Sequence, residues 1–187
     1  FLTYDVTPWY MRRPWTANRI KTLLPSAKII SVLRNPVDRT YSHYHLTCRE
    51  KGTIKSFEEI IEEDIKKIDN YDDNLKNSQK YYEDFVQNSH IARGFYLEQL
   101  ENWFTVFNKE NILIISSEDL ANYTQKTMDH VFDFLNIEDQ VIPNLEKVNV
   151  TKYPKMKEKT RKILENYFFE YNENLFKKIG KHFNWNK

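Results

Sequence analysis

The chain has 187 residues, 40% hydrophobic and 15% aromatic, with 28 Lys or Arg against 27 Asp or Glu. That length and apolar content fit one globular domain and exclude a disordered chain; a net charge of +1, with no module motif, gives nucleic-acid binding no support. A lone cysteine, Cys48, excludes an intrachain disulfide framework and a cysteine-based metal site, and no apolar run approaches the roughly 18 residues of a membrane span.

The near-neutral total hides a segregation. Residues 1–49 and 147–187 are basic and residues 50–73 acidic. Basic ends that fold together suit an anionic ligand; basic solvated faces are the simpler alternative. The chain opens on Phe1 rather than Met and without a signal-peptide pattern, so a fragment or processed chain is expected.

Phe1 to Val6 reads as a short strand running into Thr7-Pro8. Asp5 near its end is placed for chemistry, although Asp is also an ordinary turn starter. Trp9, Tyr10 and Trp15 suit a core or a substrate wall, and Thr16 to Leu24 forms a helix stopped by Pro25. Ile29 to Leu33 is a β-branched run without polar alternation, the pattern of a parallel strand buried on both faces. Arg34 ends it, Asn35 can cap the next helix, and Pro36 suits that helix's first position. Open α/β sheets bind ligands at this edge, and helix N-termini favour anions there.

The helix from Pro36 carries Tyr41, Tyr44, His45 and Cys48 at spacings of three and four, and Gly52 ends it. Ser42 shares a face with Asp38 and Arg39. His43 and His45, two apart, point to different faces, which argues against a joint metal site. Ser56 opens an amphipathic helix to Ile68 with a capping box to Glu59; residues 69–79 are loop and Tyr81 to Val86 a short helix. His90 to Phe107 is a core-facing helix whose early Gly94 implies a close approach by a ligand or another backbone. Ile112 to Ile115 is a second buried strand and Thr124 to Leu135 another amphipathic helix. Residues 136–152 are irregular. Lys157 to Phe176 is the longest helix, and Gly180 precedes an aromatic tail with Phe183 and Trp185.

Strands alternating with long helical crossovers predict an α/β fold, a parallel sheet flanked by helices. Three strands are few for such a sheet, and a first strand-loop-helix unit is expected to be missing. With three glycines in the chain, neither a G-x-x-x-x-G-K-[ST] loop nor a G-x-G-x-x-G turn is present, and no zinc spacing or nucleophile elbow appears. What remains is Arg34 with Ser42: a guanidinium that can grip a phosphate bidentately and a hydroxyl that can donate to the same oxygens.

The string Leu33-Arg34-Asn35-Pro36-Val37-Asp38-Arg39-Thr40-Tyr41-Ser42-His43-Tyr44 resembles the 3′-phosphate motif of sulfotransferases that use 3′-phosphoadenosine 5′-phosphosulfate, above all the heparan-sulfate type and related bacterial enzymes. Asp5-Val6-Thr7-Pro8-Trp9-Tyr10 is similar to the family's Glu-Lys-Thr-Pro-x-Tyr segment. Arg93-Gly94-Phe95-Tyr96 with Leu100, Trp103 and Ser117-Glu118-Asp119-Leu120 is similar to its central region, and Tyr153-Pro154 with Phe183 and Trp185 to its C-terminal end.

The resemblance implies one sulfotransferase domain over residues 1–187, with a P-loop-NTPase-like three-layer fold that is incomplete at its N-terminus. It implies transfer of a sulfuryl group from that donor to a hydroxyl or amine, with glycans among the acceptors, and with no metal. Carried onto this chain, Arg34 and Ser42 would hold the 3′-phosphate, Asp5 would act as general base, and Lys152 would supply a cation where the family has a Lys-Gly-Arg loop. The family's 5′-phosphosulfate loop has no counterpart from Phe1 onward. The resemblance implies no nucleic-acid partner and leaves oligomeric state open; the location would be cytoplasmic in a bacterium and the Golgi lumen in a eukaryote. Two other readings stay open: another phosphate-binding α/β enzyme related to nucleotide kinases, and a non-catalytic nucleotide- or glycan-binding module.

Overall fold

Two five-residue strands, β1 (Ile29–Leu33) and β2 (Ile112–Ser116), pair in parallel, with Ile29 opposite Ile112 and Leu33 opposite Ser116. The computed structural model describes residues 3–52, 55–71, 79–143 and 153–185. Parallel neighbours need a long crossover, and here it is helical. Ahead of β1 come α1 (Trp9–Arg12) and α2 (Thr16–Leu23). Between the strands lie α3 (Pro36–Lys51), α4 (Phe57–Asp69), the short α5 (Gln79–Tyr81) continuing as a π-helical turn over Tyr82–Val86, a 3-10 turn at Ala92–Gly94, and α6 (Tyr96–Val106). After β2 come α7 (Ser117–Asn122), α8 (Thr124–Leu135) and the long α9 (Glu158–Ile179). This is an α/β fold, a parallel sheet flanked by helices.

The local signals act as their chemistry requires. The Asn35 side chain accepts from the Val37 N–H at 2.9 Å, capping α3 ahead of Pro36. Ser56 and Glu59 cap α4 reciprocally. Gly52 (φ 64°) and Gly180 (φ 68°) end α3 and α9 in the left-handed region.

Three hydrophobic groups hold the layers together. Leu33 meets Tyr96, Leu100, Leu175, Phe176, Phe183 and Trp185 beneath the C-terminal end of β1. Ala17, Trp103 and Phe107 close on Ile29 and Ile112 at the other end. A larger group gathers Val37, Phe57, Ile61, Tyr82, Phe85, Ile91, Leu164 and Phe168 around α3.

Three expectations change, and the first is that the helix expected from His90 begins only at Tyr96, after the 3-10 turn over Ala92–Gly94. The strand expected over Phe1 to Val6 is not formed: residues 3–6 have no regular structure, and Tyr4 and Val6 are exposed. An isolated strand has no hydrogen-bonding partner to hold it extended, and Phe1 and Leu2 lie outside the described residues. Nor is β1 buried on both faces, since Ile30 is 38% and Val32 51% exposed while Leu33 is 1% exposed. Helices cover the Ile29–Leu33 side of β1 and leave the alternate residues open.

Gly94 has the reason its position demanded. It lies in the 3-10 turn ahead of α6, and a Cβ there would come within 2.8 Å of Phe168 Cε1 and 3.0 Å of Pro36 Cβ. The close neighbours are α9 and the first residue of α3.

Candidate active site

The corner between β1 and α3 is fixed by groups far away in sequence. Asn35 N–H donates to Glu118 Oε1 at 2.9 Å, and the Asn35 amide reaches the Trp185 carbonyl at 3.4 Å. Glu118 Oε2 accepts from the Ser116 hydroxyl at 2.8 Å and from the Trp185 ring N–H at 3.2 Å. Burial alone would raise the Glu118 carboxyl. Donation from Asn35, Ser116 and Trp185 outweighs it and holds the group below the usual carboxylate range. The Tyr96 hydroxyl donates to the Arg34 carbonyl at 2.8 Å, and burial pushes this phenol up to about 12, so it remains a donor.

The backbone of the corner is therefore anchored while its functional side chains are not. Arg34 is exposed and Ser42 half-buried on α3, and neither side chain forms a hydrogen bond with another described residue. Helical rise puts Ser42 about 9 Å along α3 from Pro36. A free guanidinium at a strand's C-terminal end, with a free hydroxyl on the following helix, can take an oxyanion.

Asp5 lies on the exposed segment ahead of α1. It accepts a 2.5 Å hydrogen bond from the Tyr10 hydroxyl, and that bond and the carboxylate's charge raise the phenol above its ordinary value. No hydrogen bond or ion pair joins Asp5 to Arg34 or Ser42 among the described residues. Lys152 lies outside the described residues. The next residues are held against α3: the Tyr153 ring stacks on His45 at 4.4 Å, and the Tyr41 hydroxyl donates to the Pro154 carbonyl at 3.0 Å. Together with Asp38, Met156 and Arg161 they line a cleft of about 370 Å³.

A second set of polar residues flanks the corner. Arg39 and His43, four apart on α3, meet Arg93 and His90, while on α1 the Arg12 guanidinium lies over the Trp9 ring at 4.4 Å. Arg93 donates to the Val86 carbonyl at 3.3 Å, to the Gln87 carbonyl, and to His43 Nε2 at 2.5 Å. Arg39 donates to Thr40 Oγ1 at 2.8 Å and to the His90 carbonyl. Asp64 Oδ2 holds the same loop by accepting from Ser89 Oγ at 2.9 Å and His90 N at 2.6 Å. Burial and the neighbouring arginines lower Arg93 to about 10; burial, then Arg93, His90, Arg39 and Arg12, lower His43 to about 3.

Glu118, Tyr96, Arg12, Arg39, Arg93 and His43 are the site residues to which sequence reasoning gave no role. Arg39, His43, Glu118, Arg93 and Tyr96 did stand inside the quoted motifs, and that was the available signal; Arg12 did not. Among the described residues, no group of three or more His, Cys, Asp or Glu could hold a metal ion, and no helix is long and apolar enough to cross a membrane.

With this geometry in place, comparison with known proteins identifies the family. Residues 13–187 match the sulfotransferase domain. The chain belongs to that family.

Among individual relatives, it is 26% identical to the membrane-associated sulfotransferase kil1 of Dictyostelium discoideum, over 97% of this chain and 52% of that protein. It is 34% identical to carbohydrate sulfotransferase 15 of Mus musculus, over 65% of this chain and 22% of that one. The bifunctional heparan sulfate N-deacetylase/N-sulfotransferase 1 of Mus musculus is 27% identical, over 87% of this chain and 20% of its own length. The chain thus spans about half the length of the first of these and about a fifth of the others. In fold it resembles the crystal structure of a sulfotransferase from Alicyclobacillus acidocaldarius, with a TM-score of 0.74, 24% identity, and coverage of 96% of this chain and 65% of that one.

Proposed function

We propose that the protein carrying this chain transfers a sulfuryl group from 3′-phosphoadenosine 5′-phosphosulfate to a hydroxyl or amine, with a glycan as the acceptor class. The observation that carries this reading is the Arg34 corner, where an anchored backbone presents an unpaired guanidinium and an unpaired hydroxyl beside a helix N-terminus. That chemistry fits the 3′-phosphate of the donor: the arginine supplies a two-pronged charge-assisted donor and Ser42 a third hydrogen. The bound donor supplies the sulfuryl group.

Asp5 takes the acceptor's proton as the attacking oxygen or nitrogen loses it, and Tyr10 holds one carboxylate oxygen in place until then. Lys152 contributes a cation next to Tyr153, a residue tied to α3. The glycan assignment is supported by the carbohydrate and heparan sulfate relatives. The compartment follows the host, the cytoplasm in a bacterium and the Golgi lumen in a eukaryote.

The test is calorimetric titration of the full-length protein with 3′-phosphoadenosine 5′-phosphate. Arg34→Ala weakens its binding by about tenfold or more, the scale of one lost charge-assisted pair. Unchanged affinity overturns the site assignment. Asp5→Asn leaves that affinity intact and slows sulfuryl transfer to a glycan panel by about a hundredfold or more.

A further inference from the structure

Asp64, on α4, is the only buried carboxylate among the described residues. Taking a carboxylate out of water is costly unless donors replace the lost hydration. Three do so at one oxygen: Oδ2 accepts from Ser89 Oγ at 2.9 Å, His90 N at 2.6 Å and Ile91 N at 3.2 Å. Ser89 Oγ accepts in turn from Ile91 N at 3.1 Å and Ala92 N at 2.9 Å. One carboxylate and one hydroxyl thus fold residues 89–92 around themselves.

The residues so folded reach the corner by two routes. The first crosses the His90 residue. Its N–H is held by Asp64 on α4, and its carbonyl accepts from two consecutive residues of α3, Arg39 and, at 3.2 Å, the fully buried Thr40. The second runs along the chain. Gly94 N donates to the Ile91 carbonyl at 2.7 Å, and Gly94 lies against Pro36, the first residue of α3. Two residues further on, the Tyr96 hydroxyl donates to the Arg34 carbonyl at 2.8 Å. Gln99 fastens this turn by donating to the Arg93 and Phe95 carbonyls, each at 3.1 Å.

Both routes end on residues 34–40, which hold Arg34 and open the helix that carries Ser42. Neither passes through Glu118, which grips the Asn35 N–H from α7. The backbone of the corner is therefore held from two directions, and Asp64 is the root of one of them.

We propose that Asp64 is a positioning residue for the donor-binding corner: by folding residues 89–92 it sets the backbone of Arg34 and the first turn of α3, so that Arg34 and Ser42 meet the nucleotide together. The carboxylate is buried and acts only through His90 and Tyr96. This role rests on the reading of Arg34 and Ser42 as nucleotide-binding residues.

The test uses the full-length protein, with 3′-phosphoadenosine 5′-phosphate as the probe. The control is Phe107→Leu, a core change at the far end of the sheet. Asp64→Ala weakens nucleotide binding by about tenfold, through misplaced binding groups. Phe107→Leu leaves it within about twofold, as a distant site should. Asp64→Asn keeps an oxygen for the same three donors and restores most of the affinity. Ser89→Ala weakens binding by about threefold and carries the test if Asp64→Ala does not fold. Affinity that Asp64→Ala and Ser89→Ala lower no further than Phe107→Leu does would leave Asp64 a purely structural role and overturn the proposal.

Amide hydrogen exchange without nucleotide separates that outcome from failure of the nucleotide reading. In Asp64→Ala the Asn35 and Val37 amides, held by Glu118 and by the Asn35 side chain, exchange about tenfold faster than in Phe107→Leu. Acceleration confined to residues 89–92 overturns the proposal, whatever Arg34→Ala does to nucleotide affinity. If Asn35 and Val37 do accelerate but Arg34→Ala leaves nucleotide affinity unchanged, the nucleotide reading is the part that fails, and the positioning role falls with it.

Discussion

The two sides of α3 differ in how their charges are met. On one side Asp38 pairs with Arg161 at 2.5 Å, Arg161 also approaches Glu165 at 3.6 Å, and Tyr41 and Tyr44 give their hydroxyl protons to the Pro154 and Lys55 carbonyls. On the other, Arg39 and His43 meet further cations and keep donors unpaired. One helix thus carries a side whose charges are met within the chain and a side whose charges are not. The first is where α9 attaches; the second meets the loop before α6. Unbalanced charge next to an anchored backbone marks a binding surface better than charge alone.

The sharpest way to break that contrast is to loosen α3 as a body, so that both sides fail together. Glu118 accepts from Asn35, Ser116 and Trp185, so Glu118→Ala strands three donors at once. The expected loss is about 3 kcal/mol of unfolding free energy in urea, with nucleotide affinity falling as well. Gly94→Ala acts on the same joint from below, because its Cβ would press on Phe168 and Pro36. Overpacking of this kind costs about 2 kcal/mol. Substituting alanine at exposed Gly52, where no atom lies within 4 Å, separates steric cost from left-handed backbone strain.

Several signals carried by neighbours in the chain were legible, although the helix that Ser116 caps was not read. Asn35 and Pro36 announced the start of α3, Ser56 and Glu59 that of α4, and Gly52 and Gly180 two helix ends, because caps act within about four residues. Arg34 could be placed at a strand end for the same reason. Glu118 could not be seen holding Asn35, since the two are 83 residues apart and no local rule joins them. The meeting of Arg39, His43 and Arg93 was hidden likewise, as it depends on how the loop before α6 packs on α3. The strand expected over Phe1 to Val6 failed on partners: its composition suits β-structure, but residues 3–6 have no strand beside them. The exposure of Ile30 and Val32 has a related cause. An apolar run predicts a strand, and only the surrounding helices decide how many of its faces are covered.

A smaller effect tests the balanced side alone. The Asp38–Arg161 pair is about one-third exposed on both partners. Asp38→Asn therefore costs below about 1 kcal/mol, and the cost shrinks with added salt. A loss as large as that of Glu118→Ala would mean that the pair, and not the Glu118 anchor, positions α3.

The finest test compares two histidines on the same helix by their pH dependence. His43 is held down to about 3, by burial and then by Arg93, His90, Arg39 and Arg12, whereas burial alone lowers His45 on the other side. In the unfolded chain both titrate near the ordinary histidine value of about 6.5. Between that pH and about 3, the unfolded state binds a proton on residue 43 and the folded state does not. Unfolding therefore takes up a proton, and stability falls as the pH drops through this window. His43→Phe removes that uptake and flattens the fall, as read from urea midpoints between pH 7 and pH 4. His45→Phe flattens it less, because no cation adds to its shift.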